Sequence, residues 1–192
     1  LTNNRRILLE GTIQVDREAD YGGPYWLEKE SSLGMYRVDE LDLIGVPENP
    51  APFSTEVKLK LNGLTIERSV PLVYRWNDRV NGEMRRPLTI VPPAFVNLSD
   101  PVYVFNNGQP KEVEVMVEAA EDNLAGQVEL SLPKGWQTSP QSANVNISEK
   151  GATQMVKFMV TPSDNRSGTI EATIKIDGTL YNRAKQEIQY LH

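Results

Sequence analysis

No cysteine occurs anywhere in this chain of 192 residues, and histidine occurs once, at His192. The first absence removes disulfides, thiolate zinc sites and cysteine nucleophiles. The second removes most imidazole chemistry. A zinc hydrolase site draws on two or three converging histidines, and a Ser-His-Asp relay needs a buried, oriented one. A terminal histidine suits neither role. A glycosidase pair of carboxylates remains arithmetically open, although the scattered glutamates carry no local signature.

Long apolar runs are also missing. No stretch approaches the roughly 18 unbroken apolar residues of a spanning helix, so no membrane span is expected. Ile7-Leu8-Leu9 is too short for a signal-peptide core, and Glu10 interrupts it. Basic residues are outnumbered, 20 against 26 acidic, for a net charge of −6. Phosphate neutralisation needs a basic stripe, so nucleic acid is excluded as a partner. Arg5-Arg6 and Arg85-Arg86 are too short to change this and read as strand-edge charges. A periplasmic or secreted bacterial location is the expectation, to which the cysteine count is neutral.

What is present is period-2 alternation. Val57-Lys58-Leu59-Lys60-Leu61, Glu112-Val113-Glu114-Val115-Met116-Val117 and Val128-Glu129-Leu130-Ser131-Leu132 place apolar residues on one face. So do Val156-Lys157-Phe158-Met159-Val160 and Ile170-Glu171-Ala172-Thr173-Ile174-Lys175-Ile176. Such strands bury one face and wet the other. Asn62-Gly63, Asn81-Gly82, Asn107-Gly108 and Asp177-Gly178 supply hairpin-turn chemistry. Thirteen prolines and thirteen glycines punctuate the chain. This pattern predicts an all-β protein of two tandem immunoglobulin-like β-sandwich domains. The Val91-Pro92-Pro93 junction divides it into residues 1–93, with long irregular loops, and residues 94–192.

The aromatic residues are the candidate functional groups. Tyr25 and Trp26 follow the Gly22-Gly23-Pro24 loop, and Tyr36 lies nearby in sequence. They are read first as packing, then as a contact with a neighbouring domain, then as a ligand platform. Trp76 reads as core or edge. Trp136 follows Leu132-Pro133-Lys134-Gly135 at a strand end, where a folded-back indole would seal a sandwich. Asp16, Glu18 and Asp20 alternate as oxygen ligands would for calcium, but no companion motif accompanies them, so a solvated loop is the reading.

Several segments together resemble the region after the catalytic domain of large bacterial PIG-L (LmbE-like) deacetylases. They are Pro24-Tyr25-Trp26-Leu27, Leu33-Gly34-Met35-Tyr36, Ile44-Gly45-Val46-Pro47-Glu48-Asn49-Pro50, Val70-Pro71-Leu72-Val73-Tyr74-Arg75-Trp76-Asn77-Asp78, Gly82-Glu83-Met84-Arg85-Arg86-Pro87-Leu88 and Val91-Pro92-Pro93. Leu132-Pro133-Lys134-Gly135-Trp136, Pro162 and Ser167-Gly168-Thr169-Ile170 resemble a NEW3-type sandwich domain. The resemblance implies a non-catalytic C-terminal portion of a longer, zinc-dependent N-acetyl sugar deacetylase. The family's zinc motif resembles His-Pro-Asp-Asp with a later histidine, and nothing here matches it. The chain itself is therefore expected to hold no catalytic residue, metal or cofactor. Its implied partner is the catalytic domain of the same polypeptide. Two other readings stand beside this one: a carbohydrate-binding module using surface aromatics, and a cell-surface protein-interaction module.

Overall fold

The computed structural model describes residues 8–15, 19–29, 31–47, 49–106, 108–164 and 166–187. Twelve β-strands and two single-turn 3-10 helices, Tyr25–Leu27 and Leu41–Leu43, make up its regular structure. The chain divides into two units, Leu1–Ile90 and Val91–His192. Arg5, Arg6, Asp16, Glu18, Glu48, Asn107 and His192, named above, lie outside the described residues.

The second unit shows what alternation does when both sheets are present. One antiparallel sheet has the order β5-β6-β10-β8, built from Ala94–Leu98, Lys111–Ala119, Thr153–Thr161 and Gln137–Ser139. The other has the order β12-β11-β7-β9, built from Thr179–Tyr181, Glu171–Ile176, Leu124–Ser131 and Ser142–Ile147. Their inward residues form one cluster. Val113, Val115 and Val117 of β6 meet Val156, Phe158 and Val160 of β10, with Leu124, Val128, Val145 and Ile174 from the second sheet. Register matches chemistry: Val113 stands opposite Phe158 and Val115 opposite Val156. Each such side chain, fully buried, contributes about 1.5–3 kcal/mol. The result is a β-sandwich-like unit with open sheets.

The outer face carries the charges. Lys157 bridges Glu112 at 2.8 Å and Glu114 at 2.7 Å. Hydrogen bonds from Lys157 hold the Glu114 carboxyl below its ordinary range. A lowered folded-state pKa stabilises the fold above the unfolded carboxylate range and is lost as pH falls through the lowered value. The triad is exposed, so its contribution is small and screened. Replacing Lys157 by methionine should shift the denaturation midpoint slightly at low salt. At about 0.5 M salt the shift should vanish; a shift surviving there would mean that Lys157 acts through packing.

The edge of β5 is covered from the far end of the unit. Val96 N–H donates to the Arg183 carbonyl at 2.9 Å. The Asn97 side-chain amide donates to the Lys185 carbonyl at 2.8 Å and accepts from its N–H at 3.1 Å. A side chain thus pairs as backbone would, and a sheet edge is closed.

The first unit differs from expectation. Strands β1 (Ser54–Leu61) and β2 (Leu64–Pro71) form one two-stranded sheet, and β3 (Val73–Asp78) and β4 (Gly82–Pro87) another. Val57, Leu59, Leu61, Leu64, Ile66 and Val70 share one face of the first hairpin, yet are 37–63% exposed. Tyr25 is the one hydrophobic residue buried among the described residues of this unit. The expectation of a sandwich in each half is therefore corrected to the coarser all-β level for residues 1–93. Alternation marked the apolar face correctly, but among the described residues of this unit no second sheet covers it.

Candidate functional site

Among the described residues, two concavities hold most of the candidate side chains, one in each unit, and a further hollow of about 420 Å³ in the first unit is lined by Trp26 and Asp20 with the Gly22-Gly23-Pro24 loop. The first gathers the aromatic residues singled out from sequence. Tyr25 sits in the 3-10 turn after Pro24, its N–H donating to Asn49 Oδ1 at 2.9 Å. The neighbouring loop is tied down where Gly22 N–H donates to the Ile90 carbonyl at 2.8 Å. Tyr25, Trp26 and Tyr36 together line an apolar hollow of about 460 Å³ with Val38 and Ile44. The rings do not form a flat platform. Tyr25 is buried, and it meets Trp26 edge-on at 90° and 4.9 Å. Tyr36 is exposed at the rim.

Trp76 stands on β3 with Tyr74, stacked at 5.5 Å and 28°, and the Arg86 guanidinium lies 5.1 Å from the Tyr74 ring centre. Register explains the trio: Tyr74 pairs with Arg86 across the hairpin. Of the acidic trio, Asp20 is exposed, while Asp16 and Glu18 are outside the described residues. Among the described residues, no three His, Cys, Asp or Glu side chains converge as metal ligands. No helix among them is long and apolar enough to cross a membrane.

The second concavity is larger, about 690 Å³, at one end of the second unit. Three connections build it: β5 to β6, β7 to β8, and β10 to β11. Trp136 sits where sequence placed it, just past the end of β7. It packs on the core cluster and meets Phe105 edge-to-face at 4.9 Å. It is half-buried, so it both closes the core and lines the cleft. A turn delivers it: Trp136 N–H donates to the Pro133 carbonyl at 3.1 Å, with Gly135 at φ +89°.

Asp164 and Arg166 line the same cleft. Arg166 Nε and Nη2 donate to Asp164 Oδ2 at 2.8 and 2.5 Å, and its backbone N–H donates to Oδ1 at 3.1 Å. These bonds hold the Asp164 carboxyl below its ordinary range. Tyr103 completes the wall, its hydroxyl accepting from Asp100 N–H at 3.2 Å. Burial pushes its phenol above the ordinary range.

The cleft is braced by close backbone approach. A Cβ on Gly168 would lie 2.3 Å from Pro133 Cγ. Only glycine lets the β10–β11 connection rest against Pro133, and so against the turn that carries Trp136. Trp136 was visible in the sequence. Tyr103, Phe105, Asp164 and Arg166 were not, because three separate loops bring them together. The one local signal was the Asp164-Asn165-Arg166 spacing, which allows an aspartate and an arginine to pair within one turn.

Residues 105–177 match the family model described as NPCBM-associated, NEW3 domain of alpha-galactosidase. The match supports a NEW3-type domain in the second unit. The matched stretch contains Phe105, Trp136, Asp164 and Arg166. No curated protein matches the chain.

Proposed function

We propose that this chain is a non-catalytic accessory region of a larger carbohydrate-active enzyme, propping or orienting the catalytic domain of the same polypeptide. The observation that carries the reading is the match of residues 105–177 to a NEW3 domain named from alpha-galactosidase. A small all-β unit with a valine-rich core is suited to that role. An immunoglobulin-like topology for this unit draws support from strand order. In the lettering of that fold, β5-β6-β10 follows A-B-E and β12-β11-β7-β9 follows G-F-C-C′, while the short β8 holds the place of D beside β10 but precedes β9 in the chain. A zinc-dependent N-acetyl sugar deacetylase is the proposed parent. That finer choice rests on the first-half series from Pro24 to Pro93, whose members Tyr25 and Asn49 are hydrogen-bonded to each other.

The test has two arms. The chain alone, with and without added zinc, is incubated with N-acetylglucosamine oligosaccharides and assayed for acetate. None is expected, and zinc-dependent turnover would overturn the accessory reading. The longer polypeptide is then compared with and without this region. Deletion is expected to lower the catalytic domain's thermal stability or its affinity for polymeric substrate. Unchanged values for both would remove the propping role.

A further inference from the structure

We propose that the cleft lined by Trp136, Phe105, Tyr103, Asp164 and Arg166 is a binding site for a neutral saccharide, holding one pyranose ring. The choice of ligand class rests on the carbohydrate-enzyme reading above. The place rests on the cleft alone.

Size is the first argument. A volume of about 690 Å³ falls within the about 300–1,000 Å³ of small-ligand sites, and it exceeds what a single side chain would fill. Chemistry is the second. Part of the lining is aromatic and part is polar, with Asp164, Arg166, Ser167 and Thr169 on the same space. A pyranose has this duality. One face presents C–H groups that pack on an aromatic ring, while its hydroxyls donate to carboxylate and accept from guanidinium.

Other ligand classes fit less well. An anion would meet the carboxylates of Asp100 and Asp164, and Arg166, the one cation among the described residues of the lining, is already bonded to Asp164. A wholly apolar ligand would strip water from that ion pair and return no hydrogen bonds, which costs several kcal/mol. A cation would face Arg166. A neutral polyol satisfies both members of the pair without breaking it.

Preorganisation is the third argument. Asp164 is held by three hydrogen bonds from Arg166, so its acceptor oxygens are already aimed. The Gly168–Pro133 approach and the buried Pro162 hold the connection that carries Asp164 and Arg166 against the turn that carries Trp136. Little ordering cost is left for the ligand to meet.

The experiment uses the intact chain labelled with nitrogen-15. Its three tryptophans give three indole N–H signals, and Trp136→Phe assigns the one of interest. The chain is titrated with melibiose, maltotriose and chitotriose, and with a galacturonic acid trimer as the anionic control. At least one neutral saccharide is expected to move the Trp136 signal saturably while the Trp26 and Trp76 signals stay in place. Trp136→Ala removes a core contact, so Arg166→Ala is the decisive variant, being on an exposed loop. It is expected to keep the spectrum dispersed and weaken binding about tenfold or more, as loss of hydrogen bonds to a charged group does. Binding should be flat from about pH 5 to about pH 8, because Asp164 stays ionised throughout. The proposal is overturned by any of three results: no saturable shift, a shift at Trp26 or Trp76 instead, or unchanged affinity in Arg166→Ala. Preference for the acidic trimer would overturn its neutral-ligand half. None of these outcomes touches the accessory reading, which the acetate and deletion assays decide.

Discussion

Replacing Phe158 by alanine is expected to destabilise the second unit by about 3–5 kcal/mol. Phe158 is the largest side chain that is fully enclosed, at 0% exposure. It sits on β10, between β6 and β8, opposite Val113. Removing the ring takes away its burial and leaves a cavity among valines, which are too stiff at χ1 to collapse into it. A domain of this size holds about 5–15 kcal/mol in total, so the variant should stand near its unfolding threshold at physiological temperature. Trp136 reports the transition, since it packs against the same cluster. Changing Trp26 and Trp76 to phenylalanine makes it the sole emitter. Phe158→Leu should recover more than half the loss by restoring volume. A loss below about 1 kcal/mol for the alanine variant would mean that the two inner faces are not packed as described.

Gly135→Val is expected to be nearly as severe, with a different cause. Gly135 lies at φ +89°, where a β-branched residue is strained by about 1–3 kcal/mol. A Cβ there would also sit 2.8 Å from Ser163 Oγ, an overlap worth about 1–3 kcal/mol more. The combined loss of about 2–6 kcal/mol should lower the melting temperature of the unit by about 10 °C or more. Because the turn delivers Trp136, its emission should also shift to the red before unfolding begins. A second change, Ser163→Gly, separates the two causes: it should relieve the overlap and leave the backbone strain. Full rescue by Ser163→Gly would show that strain at Gly135 contributes nothing.

These two positions show how much was legible in the sequence. Phe158 could be read directly, since Val156, Phe158 and Val160 alternate with polar or exposed neighbours along β10. The same holds for β6, β7 and β11, whose alternation fixed both the strand and its buried face. Hairpin turns were equally clear: Asn62 and Asp177 take the positive φ that their pairing with glycine announced. The first half was harder for a physical reason. Val57-Lys58-Leu59-Lys60-Leu61 says that one face is apolar and says nothing of what lies over it. A covered sheet and an uncovered hairpin share that pattern.

The site divides the same way. Tyr25, Trp26 and Tyr36 could be read as an aromatic loop cluster, and they do share one hollow. Trp136 could be read as the seal of the second core, which it contacts. Phe105, Asp164 and Arg166 carry no local periodicity or spacing that ties them to Trp136. Only the closure of two sheets brings their loops to one end.

The pairing of Asn97 with Lys185 has a consequence for how the second unit resists force. The partners advance together, Val96 with Arg183 and Asn97 with Lys185, so β5 and residues 183–185 run side by side in the same direction. Drawing the two segments apart along that direction loads these hydrogen bonds in shear, all at once, rather than one after another as a zipper opens. The amide of one asparagine thereby makes a mechanical clamp of a sheet edge.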